Sequence, residues 1–104
     1  MRTRPSLEPT DDRRAEERHS VFFRTVMIES EVEGERTEII NIARSGFLAR
    51  TQMTREIGST IALRLPVVGQ RVATVTWCGK GLLGGRFAEP IDQASFSRML
   101  DSLA

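Results

Sequence analysis

The sequence has few of the residues that build metal sites, disulfides and aromatic binding surfaces. Cys78 is the only cysteine and His19 is the only histidine among the 104 residues. A disulfide within the chain is therefore impossible, and zinc sites made of several Cys or His ligands are excluded. Tyrosine is absent, and only one Trp and five Phe are present. Proteins that bind single-stranded nucleic acid stack its bases on surface aromatic residues. The scarcity of aromatic residues argues against such a protein, although this alternative is not excluded.

Long apolar runs are also missing. No segment approaches the ~20 apolar residues of a membrane-spanning helix, and the first ten residues, MRTRPSLEPT, lack the apolar centre of a signal peptide. We therefore expect a cytoplasmic protein with no membrane insertion. No nucleophile–base pair or acid–base pair stands out, so we expect a binding protein without catalytic residues, metal or cofactor rather than an enzyme.

The positive charge is unusual in kind rather than in amount. The net charge is only +1, which predicts no nucleic acid polymer as a partner. However, the chain has fourteen Arg and a single Lys. Arginine presents a planar fork that fits phosphates and guanine edges, whereas lysine is a point charge. A GC-rich coding sequence would also produce such an excess, so the count alone does not decide between the two explanations.

Three of these arginines lie close together before the first apolar run. The segment DDRRAEERHS contains Arg13, Arg14 and Arg18. Clustered like charges repel unless something of opposite charge binds them, and a dianionic ligand is one such partner. The alternative is a solvated charged segment in which Glu16 and Glu17 offset the arginines.

Apolar alternation and frequent turn residues predict an all-β fold. In TIALRLP, Ile61, Leu63 and Leu65 fall on one face of a strand. Strand-like composition recurs in six segments separated by short turns: 21–30, 37–42, 47–51, 60–66, 71–78 and 82–88. Six short strands joined by tight turns predict a small six-stranded antiparallel β-barrel, a closed form that leaves no free edges.

A C-terminal helix follows the strands. After Pro90, helical spacing relates the apolar residues Phe96, Met99, Leu100 and Leu103, and Asp92 is placed to cap the helix. Residues 1–11 contain two prolines and no apolar periodicity, so they predict a flexible N-terminal tail. The barrel domain is expected over 12–104.

Two segments together resemble the PilZ domain family. That family carries an Arg-x-x-x-Arg segment before its first strand, and RRAEER places Arg14 and Arg18 there, with Arg13 in front. Its second segment is Asp/Asn-x-Ser-x-x-Gly, and NIARSG supplies Asn41 and Gly46. VATVTW, GGRFAEPID and the closing helix also resemble the family, so the likeness extends from about residue 12 to the C-terminus.

The resemblance implies a PilZ-type barrel that binds the bacterial second messenger cyclic di-GMP and passes the signal to a separate effector protein. The resemblance implies that Arg13, Arg14 and Arg18 bind the guanine edges and the phosphates of the ligand. The second segment, Asn41 to Gly46, would cradle the ligand from the barrel surface.

The sequence departs from the family pattern at one position. Ala43 stands where the family has Ser, and one side-chain hydrogen bond to the ligand is thereby lost. Two further residues are candidates for ligand binding. Arg44 could contact a phosphate, and the ring of Trp77 could lie against the ligand. Because of Ala43, the alternative is a degenerate PilZ-like interaction module that does not bind the nucleotide.

Overall fold

A computed structural model describes residues 17–29, 34–52 and 54–104. Six strands and one helix follow in chain order: β1 (His19–Ile28), β2 (Glu35–Ala43), β3 (Gly46–Arg50), β4 (Thr60–Leu65), β5 (Gly69–Gly79), β6 (Leu82–Phe87) and α1 (Gln93–Leu103). The predicted six strands and terminal helix are confirmed. The predicted flexible tail over residues 1–11, together with Arg13 and Arg14, lies outside the described residues.

All neighbouring strands are antiparallel and the sheet closes on itself. The order around the barrel is β1–β2–β3–β6–β5–β4, and β4 pairs with β1 to complete the ring. Strand β6 therefore lies between β3 and β5, although it follows both in the chain. This insertion brings the β2–β3 hairpin and the β5–β6 hairpin side by side, and the candidate site forms where they meet.

The barrel interior holds the apolar face that the alternation predicts. Ile61, Leu63 and Leu65 are buried. Helix α1 adds Phe96 and Met99 to the same core, and Leu100 and Leu103 pack against it while half-buried. The tilted ring contact between His19 and Phe96, with centroids 5.5 Å apart, joins the start of β1 to the helix.

Asp92 caps α1 as the sequence predicts. Its carboxylate accepts a hydrogen bond from the backbone N–H of Ser95 at 3.0 Å. That bond satisfies one of the N–H groups that the first turn of a helix leaves without an internal partner. The bond favours the ionised form, so the pKa of Asp92 lies below its usual value.

An ion-pair network covers one end of the barrel. The chain from β3 to β4 crosses one end of the barrel, because these two strands are not neighbours, and its backbone contacts Gly81 and Val75 of the β5–β6 hairpin on the way. Arg55, in this connection, pairs with Glu29 and with Glu35, the latter at 2.7 Å. Its side chain is only 11% exposed. Thr51 Oγ1 donates to the same Glu35 carboxylate at 2.6 Å, so the network ties the connection to β1 and β2.

Candidate functional site

Two rows of residues run in register across β2, β3, β6 and β5. The first row is Asn41, Leu48, Gly84 and Trp77, and the second is Ala43, Gly46, Arg86 and Thr74. The rows are two residues apart on β2, β3 and β6, which corresponds to about 6.6 Å along a strand. The segment NIARSG and the single tryptophan are thereby brought to one patch of the barrel, although they lie in hairpins far apart in the chain.

A cavity of about 340 Å³ opens over these rows. We call it the outer-face pocket, and its lining residues are Arg18, Ala43, Ser45, Gly46, Phe47, Leu48, Thr76, Trp77, Gly84, Gly85 and Arg86. Its volume lies at the lower end of the range of about 300–1,000 Å³ that is common for small-molecule sites. Four residues predicted from the sequence line it: Arg18, Ala43, Gly46 and Trp77.

Two glycines shape the floor of the outer-face pocket in different ways. Gly84 would accept a methyl group, because an added Cβ there would make only ordinary van der Waals contacts, with Thr76 Oγ1 at 3.7 Å and with Trp77 Cβ at 3.8 Å. Gly46 instead lets two strands approach closely, since an added Cβ would lie 2.5 Å from the carbonyl oxygen of Gly85.

The close approach explains why position 46 needs glycine. Gly46 follows a turn but does not have a positive φ, since the described glycines with positive φ are Gly58, Gly69 and Gly81. Gly46 is instead the first residue of β3, paired with Ala43 and with Arg86. The requirement therefore comes from packing between strands rather than from the backbone angle of a turn.

A β-bulge turns Trp77 towards the pocket. The register between β5 and β6 shifts between Val75 and Trp77. Val75 is buried in the core, and the bulge leaves both Thr76 and Trp77 on the exposed side. Trp77 is 46% exposed and lines the outer-face pocket opposite Gly84. A large ring left half-exposed in this way offers a flat surface to a ligand.

Arg18 joins the two segments of the sequence resemblance. It lies just before β1, and its Nη1 donates to Asn41 Oδ1 at 3.4 Å. Asn41 itself does not line the cavity and stands at its border, beside Leu48. The first segment thus meets the second at the pocket, whereas its other two arginines lie outside the described residues.

Arg44 is not brought into the pocket. Its Nε donates to the carbonyl oxygen of Ile91 at 2.7 Å, and its own carbonyl accepts from the Ile91 N–H at 2.9 Å. These two bonds hold the β2–β3 turn against the segment that leads into α1. Ala43, in contrast, lines the cavity although it is only 2% exposed.

Several pocket residues were not among the sequence candidates, and Arg86 is the most important of them. Alternation along LLGGRF places Arg86 on the outer face, but no pattern in the sequence reveals which strands flank β6. Only the insertion of β6 between β3 and β5 brings Arg86 beside Gly46. Leu48 and Thr76 were missed for the same reason.

The pocket carries unbalanced positive charge. Arg18 and Arg86 both line it, and within the described part of the chain neither one forms an ion pair. The other nine residues that line the pocket carry no charge. The arrangement suits an anion that also has a flat ring, because the guanidinium groups attract the charge and the indole stacks on the ring.

Comparison with known protein families finds no family model that matches the chain, and no curated protein matches it. Within residues 17–29, 34–52 and 54–104, no three His, Cys, Asp or Glu side chains are grouped to hold a metal ion. No helix in those same ranges has the length and apolar character needed to cross a membrane.

Proposed function

We propose that the chain is a PilZ-type receptor that binds cyclic di-GMP in the outer-face pocket and passes the signal to an effector protein. The observation that carries the proposal is the meeting of two sequence segments at one cavity. Arg18 comes from the arginine-rich segment and Ala43 and Gly46 come from NIARSG, and all three line the same space.

The chemistry of the pocket agrees with such a ligand. Cyclic di-GMP has two phosphates and two guanine bases. A guanidinium fork can take the O6 and N7 atoms of guanine or the oxygens of a phosphate. Trp77 can stack on a purine, and Gly84, which lines the same cavity, places no side chain in front of it. The pocket requires neither a catalytic base nor a metal for binding.

Isothermal titration with cyclic di-GMP tests the proposal. We expect wild-type protein to bind and Arg18→Ala to weaken binding by about tenfold or more, since hydrogen bonds to charged groups are worth about 1.5–3 kcal/mol. Arg64→Ala is the matched control: Arg64 is an exposed arginine on β4, and it does not line the pocket. Equal affinity of the wild type and Arg18→Ala would contradict the assignment of the site.

A second function, an interaction module that does not bind the nucleotide, has one observation in its favour. Ala43 supplies no hydroxyl at the position where the family has Ser, and the neighbouring Gly46 adds no side chain either. The same titration separates the two functions. If saturating cyclic di-GMP produces neither heat nor a rise in melting temperature, the receptor function is rejected and the interaction module is retained.

A further inference from the structure

The second row of the pocket has only one charged side chain. It consists of Ala43, Gly46, Arg86 and Thr74, in that order across four strands. Ala43 and Gly46 present no polar side-chain atoms. Thr74 offers a neutral hydroxyl, so among these four side chains only Arg86 supplies a charge opposite to that of an anionic ligand.

The position of Arg86 is favourable for such a contact. It is two residues from Gly84, which faces Trp77 across the β5–β6 pair. A ring stacked on Trp77 would thus lie about 6.6 Å from Arg86 along the strand. Gly46, its partner on β3, contributes no side chain between Arg86 and Ala43.

Arg86 forms no ion pair with any residue in the described part of the chain. No described carboxylate lies within ion-pair distance of it, although other exposed arginines of the barrel, Arg24 and Arg50, both pair with Glu38. Arg18 lines the same pocket and is also without an ion pair among the described residues. Two unpaired guanidinium groups around one cavity repel each other, and an anion between them removes that repulsion.

We propose that Arg86 is a ligand-binding residue of the outer-face pocket and that it binds a phosphoryl group of the nucleotide. The inference rests on the proposed function, since it takes cyclic di-GMP as the ligand. It assigns to β6 a part in recognition that neither of the two sequence segments includes. Arg18 and Arg86 then hold the anion from two sides while Trp77 stacks on a base.

Titration of cyclic di-GMP into three variants tests the inference. Arg86→Ala should weaken binding by about tenfold or more, because a charge-assisted hydrogen bond is lost. Arg86→Lys loses the fork but keeps a positive charge that can still bind a phosphate oxygen, so it should bind more like the wild type than like Arg86→Ala. Arg64→Ala should bind like the wild type. The melting temperatures without ligand should be unchanged, since Arg86 is exposed.

The double variant Ala43→Ser/Arg86→Ala adds a hydroxyl to the same row. It should recover part of the affinity lost in Arg86→Ala, because position 43 lines the same cavity and a hydroxyl there gives the ligand a second polar partner. Wild-type affinity in Arg86→Ala would overturn the role of Arg86 and leave the proposed function standing. Equal losses in Arg86→Lys and Arg86→Ala would overturn the phosphoryl contact. Absence of binding by the wild type would overturn the proposed function itself.

Discussion

Gly46 and Gly84 lie on neighbouring strands at the floor of one pocket, yet replacing each by alanine should have opposite consequences for stability. In Gly46→Ala the new Cβ would stand 2.5 Å from the carbonyl oxygen of Gly85, a contact that real Cβ atoms essentially never make. The obstacle is backbone within a sheet, so no side-chain rotation can relieve it. Strands β3 and β6 would have to separate by about 0.9 Å to reach the 3.4 Å at which ordinary contact begins.

A separation of that size lengthens the hydrogen bonds between the two strands. Overpacking of this kind costs about 1–3 kcal/mol. For a domain of about 100 residues, 1 kcal/mol shifts the melting temperature by about 4–8 °C. We therefore expect Gly46→Ala to lower the melting temperature by about 5–20 °C, measured by circular dichroism, and to lower the urea midpoint without a change in the m-value.

Gly84→Ala is the matched control for this prediction. Its Cβ would meet no atom closer than 3.7 Å, and alanine reduces the conformational freedom of the unfolded chain. Its melting temperature should equal or slightly exceed that of the wild type, although the methyl group narrows the space in front of Trp77. Similar melting temperatures for Gly46→Ala and the wild type would refute the argument from close approach, and so would equal losses in the two variants.

Three further predictions concern positions outside the pocket. Val67 is exposed and has φ of 68°, a strained angle for a β-branched residue. Val67→Asn should therefore raise the free energy of unfolding by about 1 kcal/mol. An unchanged urea midpoint would contradict the strain. The folded-state pKa of Asp92 lies below its usual value of 3.8. Its carboxylate therefore stabilises the fold fully above about pH 3.8, and this stabilisation is lost as the pH falls through the folded-state pKa. Melting curves from pH 5 to pH 2 should therefore show a steeper acid loss for the wild type than for Asp92→Asn, which cannot titrate, and parallel curves would argue against the cap. Arg55→Ala leaves the partly buried Glu29 and Glu35 without their ion-pair partner and should lower the free energy of unfolding in urea by about 1–3 kcal/mol. Arg55→Ala combined with Glu35→Gln should cost less than the sum of the single changes, and an additive loss would argue against the ion pair.

The positions of the strands followed from local chemistry alone. Alternation in TIALRLP determines which side chains face inwards, because successive residues of a strand point to opposite sides. The buried residues Ile61, Leu63 and Leu65 confirm it. The cap at Asp92 and the helix after it were likewise predictable, since both depend on residues only a few positions apart. Closure into a barrel followed from the number of strands and the shortness of their turns.

The candidate site was predictable only in part. Arg18, Ala43 and Gly46 were identified from two segments that resemble the PilZ family, and Trp77 was a further candidate outside them. The structure brings all four to one cavity. The role of Gly46 was not predictable, because it depends on how closely β6 approaches β3. Arg44 lies inside NIARSG and still does not reach the cavity, since Ile91, distant in sequence, holds its side chain.

The sequence by itself determined the strands, the helix and the inward faces, since these depend on periodicity and on neighbours along the chain. Tertiary structure decided which strands meet. Pairing of β6 with both β3 and β5 placed Arg86 beside Gly46 and set Trp77 opposite Gly84. The contact of Trp77 with Gly84 lies within one hairpin and depends on its bulge, whereas Gly46 and Arg86 are distant in sequence, and their pairing is fixed only when the closed sheet satisfies the hydrogen bonds of every strand.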